Sequence, residues 1–138
     1  DTAAATVLVE RYLSLVANPD PRAEAEALLD PDYRFIKHPN LMIPLAQNAT
    51  ARTALASIPQ GRALLASQAF TIHDHHASEG TLITRTAWPG ELATDAGPVM
   101  RGTRLHADIV MFFAFRDGRI LLQENFDCYA TPDSTALP

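Results

Sequence analysis

Phe115-Arg116-Asp117-Gly118-Arg119-Ile120 decides the fold. Asp-Gly between two runs rich in aromatic and β-branched residues favours a two-residue type I′ turn with both central residues at positive φ. Leu105 to Phe115 and Ile120 to Tyr129 therefore read as the two strands of a β-hairpin. With Arg116 opposite Arg119, counting outward pairs Phe112 with Gln123, Val110 with Asn125, Asp108 with Asp127 and His106 with Tyr129. That register sets two carboxylates face to face. Alternate residues share a face, so His106, Asp108, Val110 and Phe112 join Gln123, Asn125, Asp127 and Tyr129 on a surface that is apolar near the turn and ionisable at its far end. A pocket with an apolar floor and a few convergent polar groups has this profile; so does an outer sheet face in water.

Upstream of the hairpin, Phe70/Ile72 and Leu82 to Trp88 also alternate with period two, predicting four strands in succession from Phe70 onward. The polar stretch PGELATDAGPVMRG between the second and third is expected to loop over a cavity. Toward the N-terminus the period becomes helical. Leu8, Tyr12, Leu15 and Val16 form one stripe on a first helix ending near Asn18-Pro19. Asp20-Pro21 offers a cap for a short second helix over Ala25, Leu28 and Leu29, stopped by Asp30-Pro31. Tyr33–His38 reads as a strand ahead of a Pro-rich crossing. Thr50 caps a third helix, interrupted at Pro59-Gln60-Gly61 and resumed at Leu64, as either one kinked helix or two. Helices first and antiparallel strands after predict an α+β protein with helices covering one face of a curved sheet.

With 138 residues, 47% of them hydrophobic, residues 1–138 are expected to form one domain around one core. The formal charge of −5, from 11 Lys+Arg against 16 Asp+Glu, leaves no basic surplus for nucleic acid. No apolar run approaches membrane-spanning length, and the opening DTAAATVLVERY has no basic leader, so a cytoplasmic protein with no membrane partner is expected. Serine-hydrolase, nucleotide-binding and zincin motifs are absent from the sequence. His73-Asp74-His75-His76 lacks a third ligand placed by spacing, and no metal site is expected there. The lone Cys128 is expected to be a buried thiol.

The N-terminal helical hairpin, the strand ending in His38-Pro39-Asn40 and the closing FFAFRDGRILLQENFDCY together resemble the nuclear transport factor two-like superfamily, especially its SnoaL-like polyketide cyclase branch. The resemblance spans nearly the whole chain. It implies a cystatin-like, cone-shaped barrel whose curved, mostly antiparallel sheet is closed at one mouth by helices, and a homodimer paired through the outer sheet face. Such folds include ketosteroid isomerase, aldol-type cyclases, limonene-type epoxide hydrolases and inert binding modules, so the fold leaves function open. By the resemblance, the in-facing last-strand Asp of the cyclases corresponds to Asp127, and the opposing strand Asp of the hydrolase branch to Asp108. His106 stands where that branch carries an Arg, and the nearest Arg on that face is Arg104. Where the isomerase branch has a general-base Asp near the first strand, this chain has His38 and Asn40.

Two carboxylates about 5 Å apart repel by roughly 3 kcal/mol at an effective dielectric near 20, enough to separate their titrations by about two units. The expected catalytic set is Asp127 as general base, Asp108 as its partner and His106 or Tyr129 as donor to an enolate oxygen. His106 as the base, oriented by either Asp, is the variant. Asn125, His38, Asn40, Tyr12 and Phe112 are the candidate substrate-binding residues. The expected function is cofactor-independent cyclisation, isomerisation or dehydration of an apolar carbonyl compound. Epoxide hydrolysis and passive ligand binding are the alternatives.

Overall fold

The computed structural model describes residues 1–18 and 22–130. Three helices, α1 (Thr2–Ala17), α2 (Arg22–Leu28) and α3 (Ala51–Leu64), accompany seven strands. These are β1 (Leu29–Lys37), β2 (Gln47–Thr50), β3 (Leu65–Gln68), β4 (Thr71–Ser78), β5 (Thr81–Leu92), β6 (Arg104–Arg116) and β7 (Arg119–Tyr129). They form one sheet in the order β2-β1-β7-β6-β5-β3, with β4 also on β5. Every pairing is antiparallel except β1 with β7. The sheet curls, and the helices close its concave side. No described helix is long and apolar enough to cross a membrane.

Asp1 caps α1 by accepting from the Ala3 N–H at 3.0 Å. The buried stripe of α1 is Val9, Tyr12 and Leu13, with Leu8, Leu15 and Val16 only partly covered. The expected cap at Asp20-Pro21 lies outside the described residues. Leu29, expected in the second helix, instead begins β1, whose bulge between Leu29 and Arg34 accommodates Pro31. Residues 51–64 form one helix that contains Pro59, and Thr50 and Thr53 cap each other at its start. β2 and β3 have four residues each and no sustained alternation, which is why the sequence does not announce them. The connection expected from residue 89 onward is shorter, because β5 runs through Pro89 and Gly90 to Leu92. The remaining residues fold back through an Ala96–Val99 bridge that buries Val99 in the core.

The hairpin turn is as expected: Asp117 and Gly118 have φ of 51° and 73°, and Arg116 pairs with Arg119. Beyond Phe115–Ile120 the ladder shifts, because Leu121 is an extra residue and Ala114 pairs with Leu122. Phe113 then faces Gln123, Met111 faces Asn125, and Ile109 faces Asp127. The facing pair of Asp108 and Asp127 does not form; Asp108 lies opposite Cys128. The bulge lets Ile120 stay in the core while Gln123, Asn125 and Asp127 also turn inward, which a regular ladder would forbid.

Arg116 ties this turn to β1. Its guanidinium holds both oxygens of the buried Asp30 and reaches Asp32 Oδ2 at 2.6 Å, while Asp30 also accepts from the Asp32 N–H at 2.8 Å. Hydrogen bonds from Arg116, then from the Asp32 backbone, hold the Asp30 carboxyl below its ordinary pKa. A depressed acid stabilises the fold above its unfolded pKa and loses that contribution as pH falls. Asp30→Asn should therefore lower Tm at neutral pH, and thermal melts should converge with wild type as pH drops through the acidic range.

Candidate active site

Between the concave sheet and the helices lies a cavity of about 290 Å³. Phe35, Trp88, Leu105 and Ile109 form its sheet side, while Tyr12, Leu13 and Val16 of α1 face them. α3 contributes Ala54, Ser57, Ile58, Gly61 and Arg62, the i, i+3, i+4, i+7, i+8 face of one helix. A Cβ built on Gly61 would meet nothing within 4 Å, so this wall position is open space. Trp88 is fixed by an Nε1 hydrogen bond to Gln68 Oε1 at 3.0 Å and lies edge-on to Tyr129 at 6.1 Å. Its ring lies over Gly90, where a Cβ would come within 2.6 Å of Cη2, so glycine at 90 is what lets the indole lie there.

The polar groups sit in one row on β7. The Tyr33 hydroxyl donates to Gln123 Oε1 at 2.7 Å, and Gln123 Nε2 donates to Asn125 Oδ1 at 3.2 Å. Asn125 thereby keeps its NH₂ as a donor. Next in the row is Asp127, whose Oδ1 is buried with no hydrogen-bond partner among the described residues. A native structure rarely leaves such an atom orphaned, and a ligand that supplies the partner is one explanation. Burial raises the pKa of Asp127, opposed by the Lys37 ammonium and the Tyr129 hydroxyl. Tyr129 is itself pushed up by burial and by Asp127, so its phenol is a protonated donor at neutral pH. The arrangement is an acceptor with a tunable proton, surrounded by the donors of Tyr129, Asn125 and Lys37 and walled by apolar side chains.

Residues 9–123 match the SnoaL-like domain family. The chain belongs to that family. Solved structures agree in fold. AclR of Streptomyces galilaeus shares 14% identity at a TM-score of 0.74, over 100% of this chain and 85% of that one. An LEH-like epoxide hydrolase of M. tuberculosis shares 18% at 0.68, over 92% and 84%. A Jannaschia protein assigned as a SnoaL-like polyketide cyclase shares 16% at 0.72, over 91% and 86%. At these identities the likeness fixes the cone-shaped architecture alone. No curated protein matches the chain by sequence.

Within this SnoaL-like cone, four expected site residues line the cavity: Asp127, Tyr129, Asn125 and Tyr12. The others lie outside it: the extra residue at Leu121 turns the β7 row inward and leaves the even-numbered residues of β6 on the opposite face. Asp108 and His106 lie on the outer face, their side chains 57% and 50% exposed and 3.7 Å apart. Phe112 packs edge-on against Phe126 on that same face. His38 also points outward, stacked on Phe126 at 4.1 Å with Nε2 2.6 Å from Glu124. Asn40 caps a turn by accepting from the Met42 and Ile43 N–H groups. Cys128 is exposed rather than buried. Among the described residues no three His, Cys, Asp or Glu side chains converge on a possible metal position.

Sequence reasoning placed Gln123 on the pocket face without giving it a role, and missed Lys37, Arg62 and Gly61 as cavity residues. For Lys37 the signal was present. It shares its strand parity with Tyr33 and Phe35, the inward aromatic residues of β1.

Proposed function

We propose that this SnoaL-like protein is an enzyme in which Asp127 moves a proton on an apolar carbonyl compound, without a cofactor, to bring about cyclisation, isomerisation or dehydration. The observation that carries the reading is the buried Asp127 Oδ1, without a partner among the described residues, in an apolar cavity. A raised carboxylate pKa brings the base closer to the operating pH, where proton transfer is efficient. In the proposed pose the substrate carbonyl accepts from Tyr129 and faces Lys37, and its α-hydrogen points at Asp127. Charge developing on oxygen then meets a preorganised donor and a cation in a site with little water. Asn125, held by Gln123, orients the substrate from the adjacent position, and Tyr12 closes the cavity from α1.

Hydrogen exchange at C1 of 2-tetralone in D₂O, an apolar ketone with an acidic α-position, tests the reading by NMR. Catalysed exchange is expected; a rate equal to buffer at saturating protein would count against it. Epoxide hydrolysis by an Asp pair loses its geometric basis, because Asp108 lies on the other side of the sheet.

The outer face suits self-association. Val110 and Phe126 are 39% and 42% exposed there, beside Phe112 and His38. We propose a homodimer through this face. Phe126→Glu should convert it to monomer in sedimentation equilibrium, with wild-type dimer as the reference.

A further inference from the structure

We infer that the natural ligand is an anion: an apolar molecule carrying a carboxylate or an acidic enol in addition to its carbonyl, gripped by Arg62 and Lys37. The inference rests on the cavity being a carbonyl site and adds a second handle to it.

The chain as a whole is acidic, with 16 Asp+Glu against 11 Lys+Arg. Its cavity has the opposite balance. Among the described residues one carboxylate, Asp127, lines it, against two cations. The ion pairs among the described residues employ Arg11, Arg85, Arg104 and Arg116, together with two histidines; neither Lys37 nor Arg62 takes part. Even a charged Asp127 compensates only one of them. Burial, which disfavours that charge, leaves the surplus larger.

Both cations are half-buried, so water solvates them while the cavity is empty, without the penalty of an enclosed unpaired charge. A ligand that displaces this water must bring compensating charge or leave the cations poorly solvated. The two come from different walls, Arg62 from α3 and Lys37 from β1. Arg62 follows Gly61, whose missing side chain leaves the adjoining wall open. Low-dielectric apolar walls around same-sign charges concentrate the field and draw in anions. Lys37, close enough to Asp127 to affect its titration, is placed for the oxygen that becomes negative on enolisation. Arg62, with its planar fork, suits a carboxylate.

Calorimetric binding of 2-naphthoate and of its neutral ketone counterpart, 2-acetylnaphthalene, tests this on the full chain. A charge-assisted contact is expected to make the acid bind about ten-fold or more tighter at low salt. Arg62→Gln, outside the proton-transfer group, should remove about that factor for the acid and leave the ketone unchanged, which also shows that the variant is folded. Lys37→Gln should weaken the acid as well. Gly61→Phe should exclude both ligands by filling the wall. Equal affinities, or an acid affinity indifferent to both cations, would overturn the inference and leave the cavity as a site for neutral carbonyl compounds. Acid binding that survives Gly61→Phe would overturn it by putting the anion elsewhere. Binding of neither compound would overturn both this inference and the carbonyl-site reading beneath it.

Discussion

Asp127→Asn is expected to slow the C1 exchange of 2-tetralone by about 10²–10⁴, the usual contribution of a positioned general base. Asparagine has the shape of the acid but no site for the substrate proton, so affinity for 2-acetylnaphthalene should hold while exchange fails. Stability separates a functional from a structural role. Because burial raises the Asp127 pKa, the folded protein binds more protons than the unfolded chain between the ordinary carboxylate value and the folded one. Stability therefore falls as pH rises through that window, and wild type carries the penalty above it. The Asn variant lacks it. Its Tm at neutral pH should equal or exceed that of wild type, and the difference should narrow on acidification. A variant that loses exchange and also melts well below wild type at neutral pH would make Asp127 a structural residue.

That argument depends on which way Asp127 faces, and this was only half legible in the sequence. The Asp-Gly turn and its closing pair follow from local chemistry, since positive φ at two successive residues selects that dipeptide. The alternation of Leu105, Ile109, Met111 and Phe113 marks the buried face of β6 just as directly. The bulge does not announce itself. Leu121 and Leu122 are both apolar, and either completes a plausible alternation, so counting outward assumed a regular ladder and was one residue out beyond Ala114. Tertiary packing decides the matter: keeping Ile120 buried beside Leu29 of β1 while Gln123, opposite the buried Phe113, also faces inward requires the extra residue. The same one-residue shift puts Asn125, Asp127 and Tyr129 on the face opposite to His106, Asp108 and Phe112. β2 could not be read for another reason. Gln47–Thr50 is a short polar edge strand held by β1 alone, with no hydrophobic pattern of its own. The fold was thus legible where side-chain periodicity carries it; of the site, the polar row of β7 and Tyr12 were legible as residues but not in their register, and Lys37 only through its place on an otherwise apolar parity.

Phe113→Ala is expected to be the most damaging single truncation for stability, at about 3–5 kcal/mol. Phe113 has no solvent exposure, pairs with Leu82 on β5 and Gln123 on β7, and stacks on Phe115 at 6.5 Å. It does not line the cavity. Removing the ring leaves a void beneath the Tyr33–Gln123 hydrogen bond, in a part of the sheet where strands bonded on both sides cannot move inward. For a chain of this size the loss corresponds to roughly 10–20 °C in Tm, readable by calorimetry. Phe113 adjoins the cavity through its cross-strand partner Gln123, but Asp127 and Tyr129 lie further along β7, so 2-acetylnaphthalene affinity at low temperature should be retained. The result would separate the packing that holds the cone together from the open space that the Asp127 end keeps for a ligand. A loss below about 1 kcal/mol would instead mean that the neighbours collapse into the void. The Tyr33–Gln123–Asn125 row would then shift with them, and binding at the Asp127 end would weaken together with stability.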